Sequence, residues 1–391
     1  MRHRINTKCR ERITSLFPAP AKKGYDLITI ENQYASAVIF ADTVDPGAMG
    51  LIRALCGSPV AEGCKIRVMP DVHAGKGCAV GTTMTLCDRV LPGLVGADIG
   101  CGMGVWKVRA KRLELQRLDK LVRERVPAGA NIREMPHRFA TETALSLLRC
   151  GGHVRREKAL RSIGTLGDGN HFIELDKNES GELFLIIHSG SRHLGAEVAA
   201  YYQEAAYRET PEGVPYEFAC ASGELMKDYL HDMQLVQHFA EWNRRAIADE
   251  IIKGMKLDVE EHFSTVHNYI DCDSMILRKG AVSARLGERL IIPLNMRDGC
   301  LLCVGKGNPE WNESAPHGAG RLMSRSEARQ SFTLSQFKKE MKGVYTSSVS
   351  RETLDEAPMA YKPPEEILSK IGDTVTVADR LTPLYNFKAG D

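Results

Sequence analysis

Short apolar runs separated by glycine and proline set the pattern between residues 65 and 109. Ile66-Arg67-Val68-Met69, residues 79–86 and Val105-Trp106-Lys107-Val108 have strand length, and the punctuation between them predicts tight connecting loops. The period then changes. Residues 113–126 and 138–148 place apolar and charged side chains at helical spacing. A glycine-rich loop over 164–170 leads to Leu183-Phe184-Leu185-Ile186-Ile187, a buried-strand pattern that ends at His188. Helical patterns follow over 194–208 and 225–252, the second being the longest uninterrupted one. Strand patterns return at 275–278, 290–293 and 301–304, and a Ser/Arg/Glu-rich helix is predicted to start near Ser324 or Ser326.

No internal repeat, low-complexity tract or linker divides these elements, and the glycine-rich loops are spread over most of the length. The expected architecture is one α+β domain over 25–391, with β-sheets flanked by helices. Residues 1–24 are basic, carry Pro18, Pro20 and Gly24 at their end, and read as an arm leading into the fold.

Composition narrows the class. A chain of 391 residues can form one large domain or two ordinary ones. With 52 Lys and Arg against 50 Asp and Glu the net charge is +2, so a polyanion would have to be held by a local patch and not by the global field. No 18-residue apolar run occurs, and residues 1–20 have no apolar core of signal-peptide length, which predicts a chain that is not inserted in a membrane. Eleven cysteines, an odd number without a framework spacing, argue for reduced thiols and a cytoplasmic location.

The candidate chemistry starts at Gly96-Ala97-Asp98-Ile99-Gly100-Cys101-Gly102-Met103-Gly104, a turn in which Asp98 and Cys101 can point into one small space. His171, His188 and His267 each stand where an apolar run meets a small or polar loop. A lone histidine in that position is ordinarily structural; three of them, with D-x-x-C, point to a shared metal site. Three imidazoles, a carboxylate and a thiolate exceed the needs of one tetrahedral ion, and a thiolate can bridge two. The set suits zinc, manganese, iron or cobalt.

Met69-Pro70-Asp71-Val72-His73-Ala74-Gly75-Lys76-Gly77 adds Asp71 as a base or an orienting carboxylate, and Lys76 as a phosphate contact. His317-Gly318-Ala319-Gly320-Arg321 leaves a histidine uncrowded, open to in-line attack on phosphorus, with Arg321 placed to hold phosphate oxygens. Arg192, Arg278, Lys279, Arg285 and Arg321 are expected to line an anionic groove. Cys300 and Cys303 lie in an apolar run and read as buried strand cysteines, not as half of a zinc site.

Eight segments, in order from Met-Pro-Asp-Val-His at 69–73 through Gly-Ala-Asp-Ile-Gly-Cys-Gly-Met at 96–103, Gly-Thr-Leu-Gly-Asp-Gly-Asn-His-Phe-Ile-Glu at 164–174, His-Ser-Gly-Ser-Arg at 188–192, His-Asn-Tyr at 267–269, Arg-Lys-Gly-Ala-Val-Ser-Ala-Arg at 278–285 and His-Gly-Ala-Gly-Arg at 317–321 to Met-Ala-Tyr-Lys at 359–362, carry a likeness to a known family. In these motifs the chain resembles the RtcB family of RNA ligases over about residues 65–390. The resemblance implies an α+β fold with a central metal-containing cleft. It also implies a ligase dependent on GTP and Mn2+ that joins RNA 2′,3′-cyclic phosphate or 3′-phosphate ends to 5′-hydroxyl ends, in repair of tRNA or rRNA fragments.

By the same likeness Cys101 bridges two Mn2+ ions, with Asp98 and His171 at one and His188 and His267 at the other. His317 is the nucleophile that becomes guanylylated, and the guanylate then passes to the RNA 3′-phosphate. Asn170, Glu174, Asn295, Gly318, Tyr361 and Lys388 are implied to contact the nucleotide, and Asp71, Arg192, Lys279 and Arg321 to sit near the RNA ends. An archease-type activator is an implied partner.

The chain departs from the family after Ile291-Ile292-Pro293, where Gly-Ser-Met-Gly is replaced by Leu294-Asn295-Met296-Arg297 beside the expected nucleotide phosphates. The pattern is that of a divergent paralogue. Two other functions compete with the ligase: a two-metal RNA phosphoesterase that opens cyclic phosphates, and a non-catalytic RNA-end-binding protein.

Overall fold

Alternating side chains make every strand two-faced, and burial of both faces sets this architecture. In the computed structural model, which describes residues 27–389, the strands form two large sheets. The first has six strands in the order Ile28–Glu31, Ser36–Ile39, Ile66–His73, Val80–Thr85, Ile276–Lys279 and Asn268–Asp271. The second has seven, ordered Asp258–Val266, Gly102–Arg109, Leu183–Ser189, Phe172–Lys177, Val375–Lys388, Gly299–Gly305 and Arg289–Asn295. Among the described residues of the two sheets, only Ser36–Ile39 and Ile66–His73 pair in parallel. The α+β class read from the sequence is observed, with the strands divided between separate sheets. The arm expected over 1–24 lies outside the described residues.

Helices cover the sheets. Pro46–Cys56, Arg192–Glu209 and the first part of Gly223–Met255 supply Ile52, Val198, Tyr202, Tyr229, Met233 and Val236 to a core shared with Ile66, Val68 and Leu277 of the six-stranded sheet. The last turns of the same long helix supply Ile247, Ile251 and Met255 to a second core with Trp106, Ile173, Leu185 and Ile187 of the seven-stranded sheet. One 33-residue helix, about 50 Å long at 1.5 Å per residue, therefore serves both sheets. No helix among the described residues is long and apolar enough to cross a membrane.

Parity along the seven-stranded sheet decides where polar groups go. Trp106, Val108, Ile173, Leu175, Leu185 and Ile187 fill one face; Met103, Val105, Phe172, Phe184 and Ile186 fill the other. Glu174, Asp176 and His188 share the parity of Phe172, Phe184 and Ile186, so that face receives the polar side chains of the cleft.

Most predicted elements appear at nearly the predicted places, but 138–148 is not one helix. A short helix, Glu142–Ser146, is followed by a tight turn, Gly151–His153, and the helix Arg156–Ser162. The buried carboxylate of Asp232 accepts the backbone N–H groups of Arg149 and Cys150 at 2.9 Å each, capturing donors that a continuing helix would use. The helix expected near Ser324 is Arg325–Ser331, started by a capping box between Ser324 and Glu327.

Candidate active site

His267 is the single residue between Asp258–Val266, an edge strand of the seven-stranded sheet, and Asn268–Asp271, an edge strand of the six-stranded sheet. The chain thus crosses from sheet to sheet at an imidazole. The His267 backbone N–H donates to the Cys101 carbonyl at 2.9 Å, and Cys101 leads directly into Gly102–Arg109, whose Gly102 pairs with Val266. His188 stands opposite Met103 on the next strand, and opposite Phe172, which His171 precedes. Strand pairing alone collects a thiol and three imidazoles.

Their donor atoms converge. Cys101 Sγ lies 3.4 Å from His171 Nε2 and 3.3 Å from His188 Nε2, and His188 Nε2 lies 3.4 Å from His267 Nε2. Asp98 Oδ2 is 3.6 Å from His171 Nε2. Such separations match the edges of a coordination shell with metal–nitrogen distances of about 2.0–2.1 Å and metal–sulfur of about 2.3 Å. The His188 Nδ1–H donates to the Asn170 carbonyl at 3.2 Å, which leaves the Nε2 lone pair for a cation.

Burial holds His188 and His267 well below the ordinary imidazole range, in the neutral form that binds metal. Burial also pushes the Cys101 thiol well up, and the Asp98 charge adds to this; ligation to a cation would deprotonate it outright. On Asp98, burial acts upward, but the hydrogen bond and charge of His171 outweigh it and hold the carboxyl well below the usual range. The residues present fit a divalent metal by donor type and by spacing.

The surrounding backbone has no slack. A Cβ on Gly190 would lie 2.1 Å from Asp98 Oδ1. Arg192 sits at φ 57°, a left-handed conformation costing a residue with a side chain about 1–2 kcal/mol, and its Nη1 lies 3.2 Å from His171 Nδ1. Strain of this kind is held where the surroundings fix it.

Asn243 and Arg244, from the long helix, hold the loops together. Asn243 Oδ1 accepts from the backbone of Gly164 and Thr165 at 2.8 and 3.1 Å, and its Nδ2 donates to Thr165 O, Ser189 Oγ and Gly190 O. Arg244 Nη1 donates to Gly100 O at 3.0 Å and Ser189 O at 2.9 Å. Burial lowers this guanidinium to about 10, so it stays charged at neutral pH. Sequence reading did not single out the pair, although two adjacent polar residues inside the longest helical pattern were the available signal.

His317 faces a cleft of about 880 Å³ that Asn170, Glu174, Asn295, Gly318, Tyr361 and Lys388 also line. Its ring centroid is 4.8 Å from that of His267. His317 Nδ1–H donates to Asp71 Oδ2 at 2.7 Å, so the opposite nitrogen, Nε2, keeps its lone pair. Asp71 is fully buried, which gives its carboxylate contact with His317 and not with the open cleft.

The remaining predicted residues divide by what they touch. Arg321 lies over the Tyr361 ring at 5.1 Å and donates to Glu356, as does Lys388, while Tyr361 Oη donates to Glu356 at 2.6 Å. Glu356 is a buried hub that the sequence reading missed; burial acts upward on it, yet Lys388, Arg325 and Arg321 together hold it at about 2. Lys279 Nζ donates to Val95 O at 3.1 Å, next to the Asp98 turn. Asn295 turns back on its own loop, accepting from Arg297 and Asp298 at 3.0 Å each, and Arg297 pairs with Asp298 and Glu340.

The expected groove of arginines is corrected at Arg278. It is 0% exposed and bound to Ser314, Tyr269 and Asp271, so it supports the core and lines no groove. Arg285 joins it on Asp271 at 2.5 Å.

Comparison with known proteins agrees with the motifs. The sequence profile of the RtcB family, described as tRNA-splicing ligase RtcB, matches residues 59–154 and 151–389. The RNA-splicing ligase RtcB of Escherichia coli (strain K12) is 30% identical over 370 residues, spanning 80% of this chain and 87% of the relative. RNA-splicing ligase RtcB2 of Escherichia coli (strain ATCC 25922) is 28% identical over 354 residues, 82% of this chain and 86% of its own length. The tRNA-splicing ligase RtcB of Archaeoglobus fulgidus is 29% identical over 415 residues, covering 81% and 86% respectively.

Proposed function

Because the chain belongs to the RtcB family and is an RNA ligase by that membership, we propose that it seals RNA 2′,3′-cyclic phosphate or 3′-phosphate ends to 5′-hydroxyl ends. GTP is the proposed nucleotide and Mn2+ the proposed metal. The observation that carries the reading is the Asp71–His317 pair at the edge of the large cleft, 2.7 Å apart, with His317 Nε2 left as a nucleophile.

In this reading His317 Nε2 forms a bond to the α-phosphorus of GTP as pyrophosphate leaves. Asp71 holds the ring in the reactive tautomer and offsets the positive charge that develops on it. An RNA 3′-phosphate, produced first from any cyclic end, takes the guanylate from His317, and the 5′-hydroxyl then displaces GMP. When bound at Asp98, Cys101, His171, His188 and His267, two divalent ions would supply Lewis-acid clamping of phosphoryl oxygens. Tyr361, Lys388, Asn170, Glu174, Asn295 and Gly318 are the proposed nucleotide contacts. Arg321 in the cleft, with Arg192 and Lys279 beside the metal ligands, would hold RNA phosphates. Broken tRNA or rRNA is the proposed substrate, in the cytoplasm, with an archease-type activator as the proposed partner.

The test is incubation with α-labelled GTP and Mn2+. Acid-labile label on the wild type that vanishes in His317→Ala supports the reading. Hydrolysis of cyclic ends to terminal 3′-phosphates without any label, on metal-loaded protein, would replace it with a phosphoesterase.

A further inference from the structure

A second set of donors is buried behind the cleft floor. Glu174 and Asp176 alternate along Phe172–Lys177 on the face that also packs Phe184 and Ile186, and Cys300, from Gly299–Gly305, belongs to the same cluster. Cys303 belongs to a different core, so the partners of Cys300 lie across the sheet and not three residues on. The three residues each offer one ligand atom, all within 4.8 Å of one another, and all three are buried. Cys300 Sγ is 3.6 Å from Glu174 Oε2. Metal–sulfur and metal–oxygen bonds of about 2.3 and 2.0 Å in a tetrahedron put such donors about 3.5 Å apart.

The other Glu174 oxygen, Oε1, accepts from Asn386 Nδ2 at 2.5 Å, an orienting contact of the kind that fixes metal-binding carboxylates. Asp176 is the decisive residue. It is 0% exposed, and neither of its carboxylate oxygens has a hydrogen-bond partner among the described residues. A carboxyl buried without a donor is strongly disfavoured unless a cation or proton compensates it. Burial, with the Glu174 charge second, pushes Asp176 well above the carboxylate range.

We propose that Glu174, Asp176 and Cys300 bind one borderline divalent cation of the Zn2+ type, separate from the imidazole site. Two carboxylates and a thiolate carry three negative charges when deprotonated. The cation offsets two of these, and the field of Lys388, which is paired with Glu356, also acts on Glu174. Glu174 lines the large cleft, whereas Asp176 and Cys300 do not, so the ion stiffens the floor beneath the reacting groups. Its binding releases protons from the thiol and the carboxyls. The ion takes Glu174 out of the nucleotide contacts proposed above and is otherwise independent of the ligase reading.

The test is Co2+ titration of the Cys101→Ser protein, whose imidazole site has lost its thiolate. The expected result is a thiolate-to-cobalt charge-transfer band whose saturating intensity corresponds to one cobalt–thiolate bond per chain, that disappears in Cys101→Ser/Cys300→Ser, and that requires about 10- to 100-fold more cobalt in Cys101→Ser/Asp176→Asn. No band in Cys101→Ser, or a band that survives Cys300→Ser, overturns the proposal. If Asp176→Asn fails to fold, the Cys300 comparison decides alone.

Discussion

Asp71 Oδ2 accepts three hydrogen bonds from one segment: His317 Nδ1–H at 2.7 Å and the backbone N–H groups of His317 and Gly318 at 3.1 Å each. A single oxygen fixes the ring, its tautomer and the loop that carries it. Asp71→Asn puts an amide where three donors converge, so protein guanylylation should slow by about 10²-fold or more. His317→Ala should abolish it. Single-turnover labelling with α-labelled GTP separates the two; equal rates for Asp71→Asn and wild type would refute the positioning role.

Asn243→Ala leaves the N–H groups of Gly164 and Thr165 buried without their acceptor. The expected loss of stability is about 2–4 kcal/mol, from two unsatisfied donors at roughly 1–3 kcal/mol each with partial relaxation. Because the same side chain ties Gly190 to Thr165, metal affinity should fall as well, by about 10- to 100-fold. Urea unfolding and a Mn2+ titration read the two effects separately.

Glu356 makes stability depend on acid. Its folded value of about 2 lies below its ordinary 4.5, so its contribution is present above the ordinary value and is lost as pH falls through the folded one. Between about pH 5 and about pH 3 the wild type should lose roughly 2 kcal/mol more stability than Glu356→Gln. Denaturant midpoints at the two pH values check this; parallel losses would remove Glu356 as the cause.

Metal removal should be felt as lost stability. A cation that binds only the folded chain, present at about 100 times its Kd, adds about 2.7 kcal/mol. Chelation should therefore lower the melting temperature of the wild type. His188→Ala, which removes the donor 3.3 Å from Cys101 Sγ and 3.4 Å from His267, should lose the part of that response that comes from the imidazole site.

The motif residues were legible because small glycine-rich turns and histidines at the ends of apolar runs leave a local imprint, as at Asp98, Cys101, His188 and His317. Partners distant in sequence leave none. Nothing local joins Glu356 to Lys388 and Arg321, or Asn243 to Gly164, and these contacts exist only after the chain has folded back on itself. Arg278 misled for the same reason. It stands beside Lys279 in a basic motif, but strand alternation turns it inward to Asp271. The helical pattern ending at 148 does not run on because a carboxylate more than eighty residues away, Asp232, captures the backbone donors of Arg149 and Cys150 just beyond it.

The position of His267 between the two sheets bears on how the protein is made. A chain growing on the ribosome presents Asp98, Cys101, His171 and His188 before the strand that ends at Val266 exists to pair with Gly102–Arg109. Until then the thiol and first two imidazoles lack their third imidazole, and for part of that time they also lack the Asn243 and Arg244 clamps, which follow His188 in the chain. Assembly of the full ligand set is thereby deferred until His267 has been made, and a product truncated before it carries an incomplete set of ligands instead of a reactive centre.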